Sequence, residues 1–389
     1  MAGLLERLRL HRAAFSLHET TQSARPYLYA GVFRALRAPT FVVVPTADVA
    51  ERTFADLTYY LGTDAGRDVT LVRPREESVG IIESPSERSA RMTLFADLAA
   101  GRVGIAIAPV AALRQFVMPR DVFVQSTFSL ESGREFGFDS LQERLYELGY
   151  HRSDVVAAAG DYAVRGGIVD LWAATAEAPT RVEFFGDEIE SIRSFELASQ
   201  RSTQPLEQLE IAPWSEIGRN KAYRERVLER IGGTAATVSA ARAYIASGAD
   251  IPEAWLSLAY DREQTLLDYL DENALVVLEE PAMLATIERG LEDERSREEH
   301  VLLAAVESGE LSVDEDAVGE ALLAEVEAPH PSLATLGATL ATRASGSLMY
   351  MIFDLPSRAP ESRMLSWRYL IAYSRRFREE PIGTPPPPV

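Results

Sequence analysis

The chain has 389 residues, enough for two or three domains with buried cores, and its 47% hydrophobic and 25% charged residues are those of an ordinary globular protein. It contains no cysteine, which excludes disulfides, thiolate metal sites and cysteine nucleophiles. A net charge of −20, with Lys221 as the single lysine, argues against nucleic acid as the main ligand and favours a protein partner.

The first residues, MAGLLERLRLHRAAF, carry charges through their apolar positions and read as an amphipathic helix rather than a signal peptide. No run of about eighteen apolar residues follows that would span a membrane, so a cytoplasmic protein is expected. PYLYAGVFRALRAP leads to an apolar strand at Phe41–Val44. A helix at Asp48–Leu61, a strand at Thr70–Val72, a helix at Ser86–Ala100 and a strand at Val103–Ala108 follow. Helices between short apolar strands predict a parallel α/β sheet. From about Ser126 the texture changes. Phe138–Leu148 is an amphipathic helix stopped by Gly149, and a strand-rich block closes near Ile211, together a compact α+β domain of roughly 85 residues.

Residues 214–350 are mostly helical. They carry a strand at Ala274–Leu278 that runs into Glu279-Glu280-Pro281, acid-rich helices over Leu284–Glu327 and a strand at Ser347–Phe353. A helix around Trp367–Arg376 precedes PIGTPPPPV, a polyproline II or disordered segment with no packing role. The expected division is 1–125, 126–213, 214–350 and 351–389, with the second unit inserted between two parts of one α/β domain.

The most informative stretch runs from Gly160 to Ser202. Tyr162–Trp172 alternates around Arg165-Gly166-Gly167, which suits two strands joined at a tight glycine turn. In Thr180–Phe185, alternation sends Val182 and Phe184 to one side and Arg181, Glu183 and Phe185 to the other. Two consecutive phenylalanines cannot both enter one core, so Phe185 is left beside Arg181 on a polar face, with Arg165 near them if the strands pair. Aromatic residues with arginine are enriched at the energetic centres of protein interfaces. The same pattern also fits a Phe185 folded under a loop among ordinary surface arginines.

Nothing points to catalysis or metal. The five histidines lack metal-ligand spacing, no serine sits in a nucleophile elbow, and pairs such as Glu188 and Glu190 fit a solvated strand edge. The loop LHETTQSARPYLYAG sits where a nucleotide fold would hold GxxxxGK[ST]. Aligned at Ser23, it has Glu19, Gln22, Ala24, Arg25 and Pro26 at the functional positions. Glu19 would repel a phosphate, and Pro26 removes both an N–H and the metal-binding hydroxyl, so the loop is expected not to bind ATP. ALVVLEEP at Ala274–Pro281 has the form of a strand delivering a carboxylate to magnesium, but a buried strand ending in an acidic loop is common.

Taken together, GDYAVRGGIVDLW, RVEFFGDEIESIRSFE and SQRS resemble the bacterial transcription-repair coupling factors and their relative, the excision-repair protein UvrB. The resemblance covers most of residues 1–350. It implies a degenerate P-loop NTPase-like domain, similar to the first domain of UvrB, with an inserted α+β domain of the UvrB-interaction type that recruits UvrA. It places the UvrA-binding residues on Arg165, Arg181 and Phe185, and it implies that the damage-probing hairpin of UvrB is absent. In that family, ATP and magnesium serve a DNA translocase module, and RNA polymerase and DNA are bound by modules that this sequence lacks. The expectation is therefore a non-catalytic recruitment module without its own cofactor, as a fragment of a longer protein or a natural short form. A UvrB-like helicase subunit that binds nucleotide and a free-standing decoy that sequesters UvrA are the alternatives.

Overall fold

A computed structural model describes residues 14–18, 20–62, 69–75, 83–233, 235–271, 273–280 and 349–354, with scattered positions between 283 and 291. Most of the expected acidic helices, the helix at 367–376 and the proline-rich segment lie outside these residues, as does Glu19.

In chain order the first part holds β1 (Ala14–His18), α1 (Arg25–Leu36), β2 (Thr40–Val44), α2 (Ala47–Leu61), β3 (Val69–Leu71), α3 (Pro85–Ala99), β4 (Ile105–Pro109), α4 (Val110–Leu113) and α5 (Arg120–Ser126). Then come β5 (Phe128–Glu131), α6 (Phe138–Glu147), β6 (His151–Arg152), β7 (Asp161–Arg165), β8 (Ile168–Leu171), β9 (Thr180–Phe185), β10 (Glu188–Phe195), β11 (Ser202–Leu206) and β12 (Gln208–Ile211). The chain continues through α7 (Lys221–Arg230), α8 (Ala235–Ala246), α9 (Leu256–Ala259), β13 (Leu275–Glu279) and β14 (Met349–Asp354).

Strands β1, β14, β13, β2, β4 and β3 form one parallel sheet in that order. Its central strands TFVVV, IAIAP and LVVLE are buried at every position, as a parallel sheet covered on both faces requires. Alternation splits them between two cores. Val42, Val44, Ile105, Ile107, Leu275 and Val277 face α1 and α2. Phe41, Val43, Ala106, Ala108, Val276 and Leu278 join the larger cluster that holds Met92 and Phe95 of α3. The covering helices start at local caps: Thr46 accepts from the Val49 amide, and Ser84 and Glu87 form a capping box ahead of Pro85.

Ala14 and Phe15 correct the reading of an N-terminal helix, and Leu17 and His18 that of a loop, because all four belong to β1. Five residues alone do not hold a strand. β1 is fixed by β14, more than three hundred residues later, through the register Ala14↔Tyr350 to His18↔Asp354, which no local pattern reports.

Between these two parts sits an antiparallel sheet, β11-β10-β9-β8-β7-β6, parallel only at β6–β7. β5 and β12 pair from Phe128↔Ile211 to Glu131↔Gln208, so this segment leaves the α/β unit beside the point where it enters. Its inner face, with Val169, Val182, Phe184 and Ile192, packs in one continuous core with Leu141 and Leu145 of α6. Phe138 meets Phe184 edge to face with centroids 5.4 Å apart.

The junction holds a buried ionic cluster. Glu216, fully buried just after β12, takes an ion pair from Arg75 at 2.7 Å and the Met118 amide at 2.9 Å. Arg91 of α3 meets Glu253 at 2.8 Å and also pairs with Glu83, while Arg88 reaches Glu253 at 2.9 Å. Burial would raise the Glu253 carboxyl, but the surrounding arginines hold it down to about 2. These charges tie α3 and the exit from the inserted sheet into one arrangement.

Gly160, the first residue of the informative stretch, is a packing device. It has φ +89°, and a Cβ there would lie 2.2 Å from the Trp214 ring, across the junction. Gly160→Ala is expected to destabilise the chain by at least ~2 kcal/mol. Gly133→Ala, at φ +77° with open space around it, should cost only the backbone term of about 1 kcal/mol. Urea denaturation of the two variants side by side checks this, and equal losses would show that the Trp214 contact is unimportant.

Candidate functional site

The outer face of the antiparallel sheet carries the three residues singled out in sequence. The ladders align Arg165 with Ile168 and Ile168 with Glu183, and they pair Asp170 with Arg181. Because paired residues share a face, Arg165, Arg181 and Phe185 all stand on the side away from the large core. Arg165 lies two strands from β9, about 10 Å away, level with the midpoint between Arg181 and Phe185.

Phe185 is 80% exposed while its neighbour Phe184 is 9% exposed, so alternation separates the two rings as expected. Phe185 ends β9 at the two-residue turn Gly186-Asp187, where Gly186 has φ +63°. The turn is braced from below: the Asp187 carbonyl accepts from the Phe136 amide at 3.0 Å, and its carboxylate accepts from the Phe138 amide at 3.2 Å. The preceding Arg165-Gly166-Gly167 turn is held against β9, since the Gly167 carbonyl accepts from the Phe184 amide at 2.8 Å. A Cβ on Gly167 would come within 2.9 Å of the Phe184 carbonyl. The exposed ring is thus mounted on a rigid support.

The two arginines differ. Arg165 is exposed, donates to the Asp154 carbonyl at 2.9 Å, and has no acidic partner within ion-pair distance among the described residues. Arg181 is held on three sides. Its Nε and Nη2 donate to both oxygens of Asp170 at 2.7 and 2.9 Å, Nη1 reaches the Gln200 carbonyl at 3.5 Å, and the group lies 5.3 Å from the Phe195 ring centroid. The Asp170 hydrogen bonds raise the Arg181 pKa above its ordinary value. Asp170 is 3% exposed. Neither Asp170, Phe195 nor Gln200 was among the residues read from sequence. Asp170 had a signal: an acid inside the apolar strand IVDL must be paired.

At the far side of the parallel sheet, the two nucleotide-like segments meet. Gln22 and Ala24 form a single 3₁₀ turn, and Arg25 and Pro26 open α1. Arg25 is 1% exposed, pairs with Glu279 at 3.1 Å and also with Glu280, at the end of β13. Tyr29 donates to the other Glu279 oxygen at 2.5 Å. Burial raises the Glu279 carboxyl above its usual range despite the adjacent arginine. Glu280 adopts a left-handed φ of +50°, a conformation costly for a residue with a side chain. Neither segment carries a local signal of this contact, which joins residues more than 250 positions apart in sequence. Among the described residues no cluster of histidine and acidic groups has the form of a metal site, and no helix is long and apolar enough to cross a membrane.

Residues 128–216 match the family model of the UvrB interaction domain. The chain is 31% identical over 295 residues to the transcription-repair-coupling factor of Bacillus subtilis, an alignment covering 70% of this chain and 25% of that protein. It is 32% identical over 201 residues to the factor of the same name from Myxococcus xanthus, covering 50% of this chain and 17% of the relative. The chain is homologous to the transcription-repair-coupling factors. It spans about a quarter or less of the length of these relatives. The outer face described above, with Arg165, Arg181 and Phe185, lies inside the matched UvrB interaction domain.

The Arg25 cluster gives a stability prediction independent of the outer face. Arg25→Ala takes the Arg25 cation away from Glu279 and Glu280 and should lower stability by about 3 kcal/mol, read from the urea midpoint. An unchanged midpoint would mean that the ion pair contributes no net stability.

Proposed function

We propose that this chain is a non-catalytic docking module that binds UvrA through Arg165, Arg181 and Phe185, and so links transcription-repair coupling to excision repair. The observation that carries this reading is Phe185: a ring 80% exposed beside a braced turn, on the same sheet face as Arg165 and Arg181, within a UvrB interaction domain. An isolated exposed phenylalanine on a loop would have little meaning. A rigid one loses little entropy on docking and can act as an anchor, with arginines ordering the surrounding polar contacts. The two arginines divide the electrostatic work: Arg181 is paired with Asp170, whereas Arg165 has no acidic partner within ion-pair distance among the described residues.

The parallel α/β unit is, in this reading, a degenerate P-loop NTPase-like scaffold. A triphosphate at α1 would have to displace Glu279 and Glu280 from Arg25 and would meet their carboxylates instead of backbone N–H groups. Contacts with RNA polymerase and DNA, and the use of ATP and magnesium, are assigned to parts of the relatives that this chain does not span.

Phe185→Ala is expected to weaken UvrA binding by at least ~2 kcal/mol, about thirtyfold. Arg165→Ala should weaken it less and remove most of its dependence on salt. Calorimetric titrations into UvrA at two salt concentrations measure both, and unchanged affinity in folded Phe185→Ala removes the anchor. Arg181→Glu is a poor probe, because it sets a second carboxylate against buried Asp170. Titration of the chain with labelled ATP and magnesium should give no saturable signal. Saturable binding would favour a nucleotide-binding subunit instead.

A further inference from the structure

Arg181 is 18% exposed at its side chain, and much of its hydrogen-bonding capacity is already spent inside the chain. A guanidinium has five N–H donors; two go to Asp170 and one to the Gln200 carbonyl. The side of the group that bears Nε is closed by Asp170, and Phe195 lies against the guanidinium 5.3 Å from its ring centroid. The group is planar and its Nε side is fixed by Asp170, so the N–H left on Nη2 points away from Asp170, and Nη1 keeps one further N–H. Each element of this frame has a structural cost. Asp170 is a carboxylate buried to 3% exposure in the middle of a strand, and Gln200 is a non-glycine residue at φ +57°. The left-handed Gln200 is itself held, by its amide to the Glu196 carbonyl at 2.7 Å and its side chain to the Leu197 carbonyl at 2.9 Å. Pairing also cancels the charge: Arg181 and Asp170 together are neutral.

We propose that Asp170, with the Gln200 carbonyl, is a positioning element of the docking surface, which presents Arg181 as a preset hydrogen-bond fork to a planar acceptor, a carboxylate or main-chain carbonyl, on the partner. This rests on the UvrA-docking reading and deepens it. Arg181 acts through direction and Arg165 through charge, which fits one being locked to Asp170 and the other having no acidic partner among the described residues. It also accounts for the SQRS segment: its second residue supplies the carbonyl that closes the frame.

The test is a double-mutant cycle in the full chain, read by calorimetric titration into UvrA. Asp170→Asn, which removes one of the two acceptors while keeping the shape, should weaken binding by roughly tenfold. Arg181→Ala should weaken it at least as much, and Asp170→Asn/Arg181→Ala no more than Arg181→Ala alone. Losses that multiply in the double variant would show a general structural effect and overturn the proposal, as would unchanged binding by Asp170→Asn. Arg181→Lys supplies a second arm should Asp170→Asn fold poorly. A lysine keeps the charge but not the fork, so it should lose nearly as much as alanine. Full retention by lysine would overturn the preset-fork account. No binding by the unaltered chain would overturn the docking reading itself and this inference with it, whereas binding that survives Asp170→Asn overturns the inference alone.

Discussion

A strand sends adjacent side chains to opposite faces, and in β9 this rule acts on two consecutive phenylalanines. Phe184 enters the core against Phe138 and α6, and Phe185 is thereby driven into solvent. The rest of the surface follows from that division. Arg181 and Glu183 share the outer side with Phe185, Asp170 comes opposite Arg181 through the β8–β9 ladder, and Arg165 arrives on the same side through β7 and β8. A one-residue slip of register would bury Phe185 and expose Phe184, and would separate Arg181 from its acid. The register is pinned by the two short glycine turns and by the brace that Phe136 and Phe138 provide beneath Asp187.

The α/β unit contributes rigidity to this surface. The inserted segment enters and leaves through the paired strands β5 and β12. Its exit is clamped by buried Glu216, the arginines of α3 and position 75, and Trp214 seated on Gly160. The Arg25–Glu279–Glu280 cluster occupies the end of the parallel sheet, where the chain satisfies its own charges internally. Buried ion pairs of this kind are weak evidence for stability but strong constraints on geometry. Both clusters join segments that are far apart in sequence.

Much of this was legible from local pattern. The apolar runs at Phe41 and Ile105, the glycine-punctuated strands around Arg165 and the alternation through Phe184-Phe185 each report a short-range rule. β1 was not legible, because AFSLH becomes a strand only beside Met349–Asp354. The frame around Arg181 was only half legible. Asp170 inside IVDL announces a need for a partner, but the identity of that partner depends on the β8–β9 register, and the left-handed Gln200 has no glycine to mark it. The contact of Arg25 with Glu279 and Glu280 spans more than 250 residues and follows from sheet order, which neither segment encodes.

The proposed docking uses one surface, the outer face of β7, β8 and β9. Hydrogen–deuterium exchange of the chain, alone and saturated with UvrA, tests it most directly. The exposed turn amides at 165–168 and 185–188 should gain protection in the complex, while α1 and α2 remain unchanged. Protection confined to α1, α2 or the α3 side, with both turns unaffected, would contradict it.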